Sequence, residues 1–419
     1  MATSYSPNNF LRQTPNSLLE QYFQNQDIEP VVSIEVEGEN GEKSQKSVRI
    51  SELEENQVAA IKQLIEAQDF DKQTLIENDF RKISERACKA GFLCLLDEAK
   101  YEGHDLDIQD ELEAMENHYE RSMWVFLNYP KVFENSGYFQ RIDRITFRGR
   151  PVWKGIDPKQ LDGDLEDFKQ KMIEHYKKEG RGNHCIIEVL KRPDPERYYY
   201  FVYLEDYSNT LDEFKGSEFK RTPVKPAFEV IFAYHPESGK IETNASGRKE
   251  EVLQLQEAFC QGVLDMEGLP DKDSRMYELD KLKTRFNFTP RDPQDNIAAV
   301  HLKLIELEIG YKKRITFTDS GRTPNIYDMI EEALNQENVP LDIVTVGKAK
   351  IQIVFRKMAD EKRAKTITFE ISAPDRCTLK DSPVELIAKK YVEKWGFVSE
   401  QTIEATEETD QAEPVGQPV

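Results

Sequence analysis

The sequence predicts an α+β protein: a mainly helical N-terminal region, a central antiparallel sheet with helices, and a C-terminal α+β unit of hairpin-helix type, between disordered termini. Three observations carry that prediction. Apolar residues recur at three- and four-residue spacings as far as Leu127, the period changes to two over the middle of the chain, and both ends lack either pattern. The 419 residues are 38% hydrophobic and 10% aromatic, enough apolar surface to offset chain entropy in two or three domains.

Segment 1–30, rich in Asn, Gln, Ser and Pro, is expected to be disordered, as is the acidic tail 399–419. A mainly helical domain opened by a β-hairpin is expected over 31–135. VVSIEVEGENGEKSQKSVRI alternates around a Gly-containing turn, and Ser51-Glu52-Leu53-Glu54 has the spacing of a helix-opening capping box. Helical periodicity continues through Leu112, Met115, Tyr119, Met123 and Phe126, and Pro130 ends it by disfavouring helix at Tyr129.

An antiparallel-sheet domain is expected over 136–267. RIDRITFRG, NHCIIEVLKR, RYYYFVYLED, AFEVIFAYHP and GKIETNAS read as strands, joined by connections too short for crossover helices. Alternation along Tyr198 to Tyr203 makes both strand faces aromatic, which implies burial on both sides rather than an exposed aromatic surface. A helix runs from about Lys249 to Val263. A polar linker with a short helix is expected over 268–296, and a C-terminal α+β domain over 297–398, whose last helix opens on Ser382-Pro383-Val384-Glu385 and closes at Gly396. A hairpin followed by a helix recurs at 31–70, 226–264 and about 299–336. The second and third share Ser246-Gly247-Arg248 and Ser320-Gly321-Arg322, a turn at a helix start that would favour an anion.

Charge is segregated along a chain of net charge −21. Residues 1–140 hold 27 acids against 13 bases, residues 311–397 hold 16 bases against 13 acids, and the tail from Val398 holds six acids and no base. The acidic front repels a phosphate backbone, so any nucleic-acid contact must be local. No stretch approaches the roughly 18 apolar residues of a membrane span, and the polar start lacks the apolar core of a signal peptide; the expected compartment is cytoplasmic, with no membrane partner. Five widely spaced cysteines argue against a disulfide framework and against paired CxxC zinc sites.

Motifs narrow the function by exclusion. There is no GxxxxGK[ST], no GxGxxG after a strand and no GxSxG. Segment 97–120 sets His104 and His118 among carboxylates, but Met115 stands where a Glu-x-x-His pair needs its acid, and Asp110 where a calcium loop needs glycine. The strand Ala349–Phe355 lacks the acid-x-Lys of a metal-dependent nuclease. No metal, cofactor or catalytic residue is assigned.

The candidate binding residues are Arg141, Arg144, Arg148, Arg150 and Trp153, in a basic and aromatic run, with a second patch of Lys312, Lys313, Arg314 and Arg322. On one strand, Arg144, Thr146 and Arg148 would share a face that meets phosphates or an acidic peptide, or that pairs with the chain's own carboxylates. The expected function is that of a non-enzymatic interaction or adaptor protein of a larger cytosolic assembly, with a protein partner. The alternatives are a nucleic-acid-processing or other enzyme with a site assembled from dispersed residues, and a local nucleic-acid binder through the Arg141–Arg150 strand.

Overall fold

Helices and one large antiparallel sheet build the chain, an α+β architecture with twelve α-helices among the described residues. The computed structural model describes residues 5–37, 43–54, 57–193, 195–272, 274–289, 291–310, 313–319, 321, 325–334, 343–357, 364–380, 383–399 and 403–404. The chain divides into two compact units, 1–144 with 210–222, and 145–209 with 223–419.

Unit 1 opens with α1 (Pro7–Gln13) and α2 (Asn16–Asn25), within the segment whose composition suggests disorder. That expectation fails for these residues because the polar Asn8, Asn9, Gln13, Gln24 and Asn25 face outward while Phe10, Leu19, Tyr22 and Phe23 are fully buried. Composition hides the short amphipathic pattern. Pro7 sits in the first turn of α1, the Ser6 hydroxyl accepts from the Asn9 N–H at 3.4 Å, and Phe10 stacks on Phe80 at 4.4 Å.

β1 (Val31–Glu37) and β2 (Lys43–Arg49) form the expected hairpin, in register from Val31 with Arg49 to Glu37 with Lys43. The capping box does not form, since α3 (Val58–Glu66) begins seven residues after Ser51. Instead the Ser51 N–H donates to Glu20 Oε2 and Arg49 Nε to Glu20 Oε1, both at 2.9 Å. α4 (Phe70–Arg86), α5 (Lys89–Tyr101), α6 (Asp105–Ala114) and α7 (His118–Asn128) follow. Pro130 does end α7, yet it also begins α8 (Pro130–Ile142), where a missing N–H costs nothing. Val132, Phe133, Ser136 and Gln140, three and four apart, are buried on α8, which packs against α5. The helix therefore carries Arg141, and the strand expected from Arg141 begins only at Arg148.

Inside unit 1, Asp79 is buried and its Oδ2 accepts from the Tyr22 hydroxyl at 2.9 Å; burial raises the Asp79 carboxyl above its usual range. Asp79→Asn keeps an acceptor for Tyr22 and removes the cost of burying a charge. It is expected to stabilise unit 1 by about 1 kcal/mol at pH 7. The folded pKa lies above the unfolded value of 3.8, so the penalty is full above the raised pKa and absent below 3.8. Melting curves of the two proteins should therefore converge as the pH falls toward 4. A variant that melts lower at pH 7 would show that the carboxylate is net stabilising.

Unit 2 contains β3 (Arg148–Pro151), β4 (Trp153–Lys154), α9 (Glu166–Lys177), β5 (Cys185–Pro193) and β6 (Glu196–Glu205). A separate hairpin follows, β7 (Asn209–Lys215) with β8 (Glu218–Val224), whose residues 210–222 belong to unit 1; unit 2 resumes with β9 (Ala227–His235), β10 (Lys240–Asn244) and α10 (Lys249–Gly262). The remainder comprises β11 (Ile297–Ile309), β12 (Lys313–Thr318), α11 (Ile326–Ala333), β13 (Val344–Phe355), β14 (Thr366–Ser372), β15 (Arg376–Cys377), α12 (Pro383–Lys394) and β16 (Ile403–Glu404).

Ten of these strands form one antiparallel sheet in the order β12-β11-β13-β14-β15-β3-β10-β9-β6-β5. The sheet has two cores. Phe168, Phe232 and Phe259 meet edge-on or stacked at 5.1 to 5.5 Å where α9 and α10 pack on the first half, and Tyr198 to Val202 are buried on both faces of β6. Ile305, Ile351, Phe369, Tyr391 and Trp395 centre the second core, into which segment 268–296 also inserts Met276, Tyr277, Leu279 and Leu282. The halves meet at β15, which pairs Ile371 with Cys377 and Ser372 with Arg376 on one side, and Arg376 with Arg148 on the other. Among the described residues no helix is long and apolar enough to cross a membrane.

Candidate functional site

The arginine run divides among unlike environments. Arg141 and Arg144 belong to unit 1, Arg141 lying 5.2 Å over the Tyr138 ring near the end of α8 and Arg144 exposed beyond it. In unit 2 Arg148 is half-buried at the start of β3, opposite Thr243 and Arg376. Arg150 is buried, donating to Gln256 Oε1 at 3.0 Å, Ser274 Oγ at 2.8 Å, and the carbonyls of Asp271 and Lys272 at 3.0 and 3.1 Å. It clamps the 271–274 loop to α10 and presents no guanidinium to a ligand. Trp153 is half-buried against the first core, and its carbonyl accepts from the Tyr234 hydroxyl at 3.0 Å.

On β12, Lys313 and Arg314 are exposed, and Arg314 pairs with Glu308 at 2.8 Å and Glu306 at 3.7 Å. Lys312 and Arg322 lie outside the described residues, as does Ser320 of the repeated turn. At the matching turn before α10, the Arg248 N–H donates to Glu251 Oε2 at 2.6 Å, so the chain's own carboxylate already occupies the position an anion would take.

Charged groups converge instead on a cavity of about 500 Å³ in unit 2. Its walls come from β3 and β4, the β9–β10 turn, the start of β6, the Met276–Tyr277 segment, β15, α12 and Val398–Ser399. Leu386, Lys389, Lys390 and Glu393 stand three, four and seven apart, so one face of α12 lines it. Lys154 comes from β4, which passes under the turn at Gly239. There φ is +59°, and a Cβ would lie 2.6 Å from Lys154 Cγ and 2.7 Å from the Val152 carbonyl, so glycine lets the turn seat against the strand that carries Lys154. Lys240 and Arg197 complete five cationic side chains, against the carboxylates of Glu196, Glu237 and Glu393.

At the base, His235 Nε2 donates to Glu242 Oε2 at 3.0 Å and Lys240 Nζ lies 2.5 Å from Glu242 Oε1. Burial alone would raise the Glu242 carboxyl, but the charge of Lys240, the His235 bond and the charge of Lys389 outweigh it and hold the group well below the usual carboxylate range. Glu242 is thus a fixed internal anion. Burial raises both the Cys377 thiol and the neighbouring Tyr277 hydroxyl, so each stays protonated at neutral pH and neither is an activated nucleophile. Lys390 is tied to Asp295 at 2.8 Å and Asp292 at 3.7 Å, whereas no ion pair ties Lys154 among the described residues. The arrangement suits reversible capture of anionic groups.

The other histidines lie elsewhere. His184 Nδ1 lies 2.6 Å from Glu205 on an exposed corner, His118 is 3.3 Å from Arg121, and His104 packs on Tyr129. A second exposed surface is the β7–β8 hairpin, where Leu211, Phe214 and Phe219 are 50%, 65% and 50% exposed and the two rings lie 5.4 Å apart. Alternation around Lys215-Gly216 is the sequence signal for this hairpin; the cavity has none, because its lining is drawn from residues as far apart as Pro151 and Ser399. Comparison with protein families, curated proteins and solved structures finds no match to this chain.

Proposed function

We propose that this chain is a non-enzymatic interaction protein of a larger assembly, and that unit 2 grips a carboxylate-rich segment of a protein partner in its cation-lined cavity. The observation that carries this reading is the convergence of Lys154, Arg197, Lys240, Lys389 and Lys390 on one concavity of a chain whose net charge is −21. A concave wall focuses the field of such groups, so a ligand carboxylate gains more there than at a flat, screened surface. The protonated Cys377 and the histidine committed to Glu242 favour binding over covalent chemistry. In unit 1, the exposed Phe214 and Phe219 of the β7–β8 hairpin form a separate apolar surface of the kind that protein partners use, which favours a protein over a nucleic acid. The burial of Arg150 and the pairing of Arg314 with Glu308 weigh in the same direction.

The test is fluorescence anisotropy with a labelled oligoglutamate peptide, at low and high salt, on the wild type and on Lys154→Glu with Lys389→Glu. Saturable, salt-sensitive binding is expected, weakened at least ~10-fold by the double variant, the equivalent of about 1.4 kcal/mol. Absence of binding, or equal binding by the variant, would overturn the proposal. Tighter binding of a single-stranded oligonucleotide of equal charge would transfer the site to nucleic acid.

A further inference from the structure

From the β7–β8 hairpin we infer that two copies of this chain pair through their hairpins, face to face about a two-fold axis. The inference rests on the reading of that hairpin as a protein-contact surface, and three observations carry it further. The first is that the hairpin is a two-stranded sheet of its own, with most side chains of both strands exposed. A lone hairpin is marginally stable in water and gains from a surface laid against it.

The second observation is that alternation sorts its side chains. Leu211, Glu213 and Lys215 on β7, with Glu218 and Lys220 on β8, turn to one face, where Lys215 lies 3.6 Å from Glu213 and Lys220 2.9 Å from Glu218. Asp212 and Phe214 on β7, with Phe219 and Arg221 on β8, turn to the other. There the two rings lie 5.4 Å apart, the Arg221 guanidinium lies 5.4 Å over the Phe219 ring, and Arg221 Nε is 3.4 Å from Asp212 Oδ1. All four of these side chains are exposed.

The third is self-complementarity. The aromatic face carries its acid on one strand and its base on the other, side by side, with one ring on each strand beyond them. A two-fold axis parallel to the strands lays β7 of one copy over β8 of the other. Asp212 of each copy then meets Arg221 of the other, and Phe214 meets Phe219, so one patch answers itself in both charge and ring contact. A surface for an unlike partner does not require that match. The hairpin also balances Asp212, Glu213 and Glu218 with Lys215, Lys220 and Arg221, so two chains of net charge −21 meet where neither is locally acidic.

Sedimentation equilibrium of the full chain over a micromolar concentration series tests the pairing. So small a contact belongs to the weak class of interfaces, and a reversible dimer with a micromolar dissociation constant is expected. Phe214→Ser with Phe219→Ser is expected to weaken it at least about tenfold. Asp212→Arg and Arg221→Asp, each alone, bring like charges together and should leave monomers. Mixed in equal amounts, these two chains should form a heterodimer, because each supplies the charges that the other lacks, although the ion pair within each hairpin stays broken. A wild type that remains monomeric would overturn the inference, and so would a dimer untouched by the serine substitutions or a mixture that does not associate. Titration of each chain with the labelled oligoglutamate keeps the two proposals apart. A wild type that binds the peptide but does not dimerise loses the pairing alone, and one that dimerises without binding it loses the cavity reading alone.

Discussion

Gly91→Ala is expected to lower the stability of unit 1 by about 3 kcal/mol, at the upper end of what one added methyl does in a packed interior. Gly91 lies in the first turn of α5, pressed onto the end of α4. A Cβ there would lie 2.2 Å from the Arg86 carbonyl oxygen and 2.6 and 2.7 Å from its Cα and carbonyl carbon. All three are backbone atoms, so no side chain can swing away and the corner between the helices must open. That corner holds the Arg86 side chain in the core, its guanidinium 4.1 Å over the Phe133 ring, with Nε donating to Ser136 Oγ at 3.3 Å and Nη1 to the Lys82 carbonyl at 3.0 Å. Opening it strips a buried cation of its partners, and burial already lowers the Arg86 pKa. Calorimetric melting should register a fall of roughly 10 °C in the transition of unit 1. A shift of only a degree or two would mean that the two helices separate at little cost.

The second large effect is expected at Arg150, where the sequence offers a ligand-binding arginine and the structure shows a buried clamp. Arg150→Ala removes bonds to Gln256, Ser274 and the carbonyls of Asp271 and Lys272, and takes from the buried Gln256 Oε1 and Ser274 Oγ the donor they share. The expected loss is about 3 kcal/mol for unit 2. Arg148→Ala, at a half-buried strand end, should cost about 0.5 kcal/mol or less. Denaturant unfolding of both variants separates the roles. Were Arg150 a surface recognition residue, the two would unfold together and differ only in binding.

Legibility followed the range of the interactions. β5, β6, β9 and β10 were readable because period-two alternation is written into neighbouring residues, though the β7–β8 hairpin between them was not read, and α12 because proline, Glu385 and Gly396 mark its ends locally. Pro130 was ambiguous, since a proline that stops one helix can open the next, and only the burial of Phe133 and Gln140 against α5 decides it. Phe10 and Tyr22 were obscured by Asn and Gln, which say nothing about which face turns inward. The candidate site was least legible. The partners of Arg150 lie more than a hundred residues away, and Lys154, Lys240 and Lys389 share a cavity only because β15 brings the two halves of the sheet side by side.

That two-residue strand also governs how the sheet would come apart. Each half has a core of its own, and among the described residues the sheet pairing that joins them runs through β15, with the Gly149 N–H donating to the Asp375 carbonyl at 2.6 Å. A fluctuation that breaks those bonds leaves both cores in place, so its free energy is expected to lie below that of global unfolding. Amide protons around Gly149 and Arg376 should exchange with solvent long before those of β6 or β13. The broad sheet then behaves as two plates joined along a hinge line.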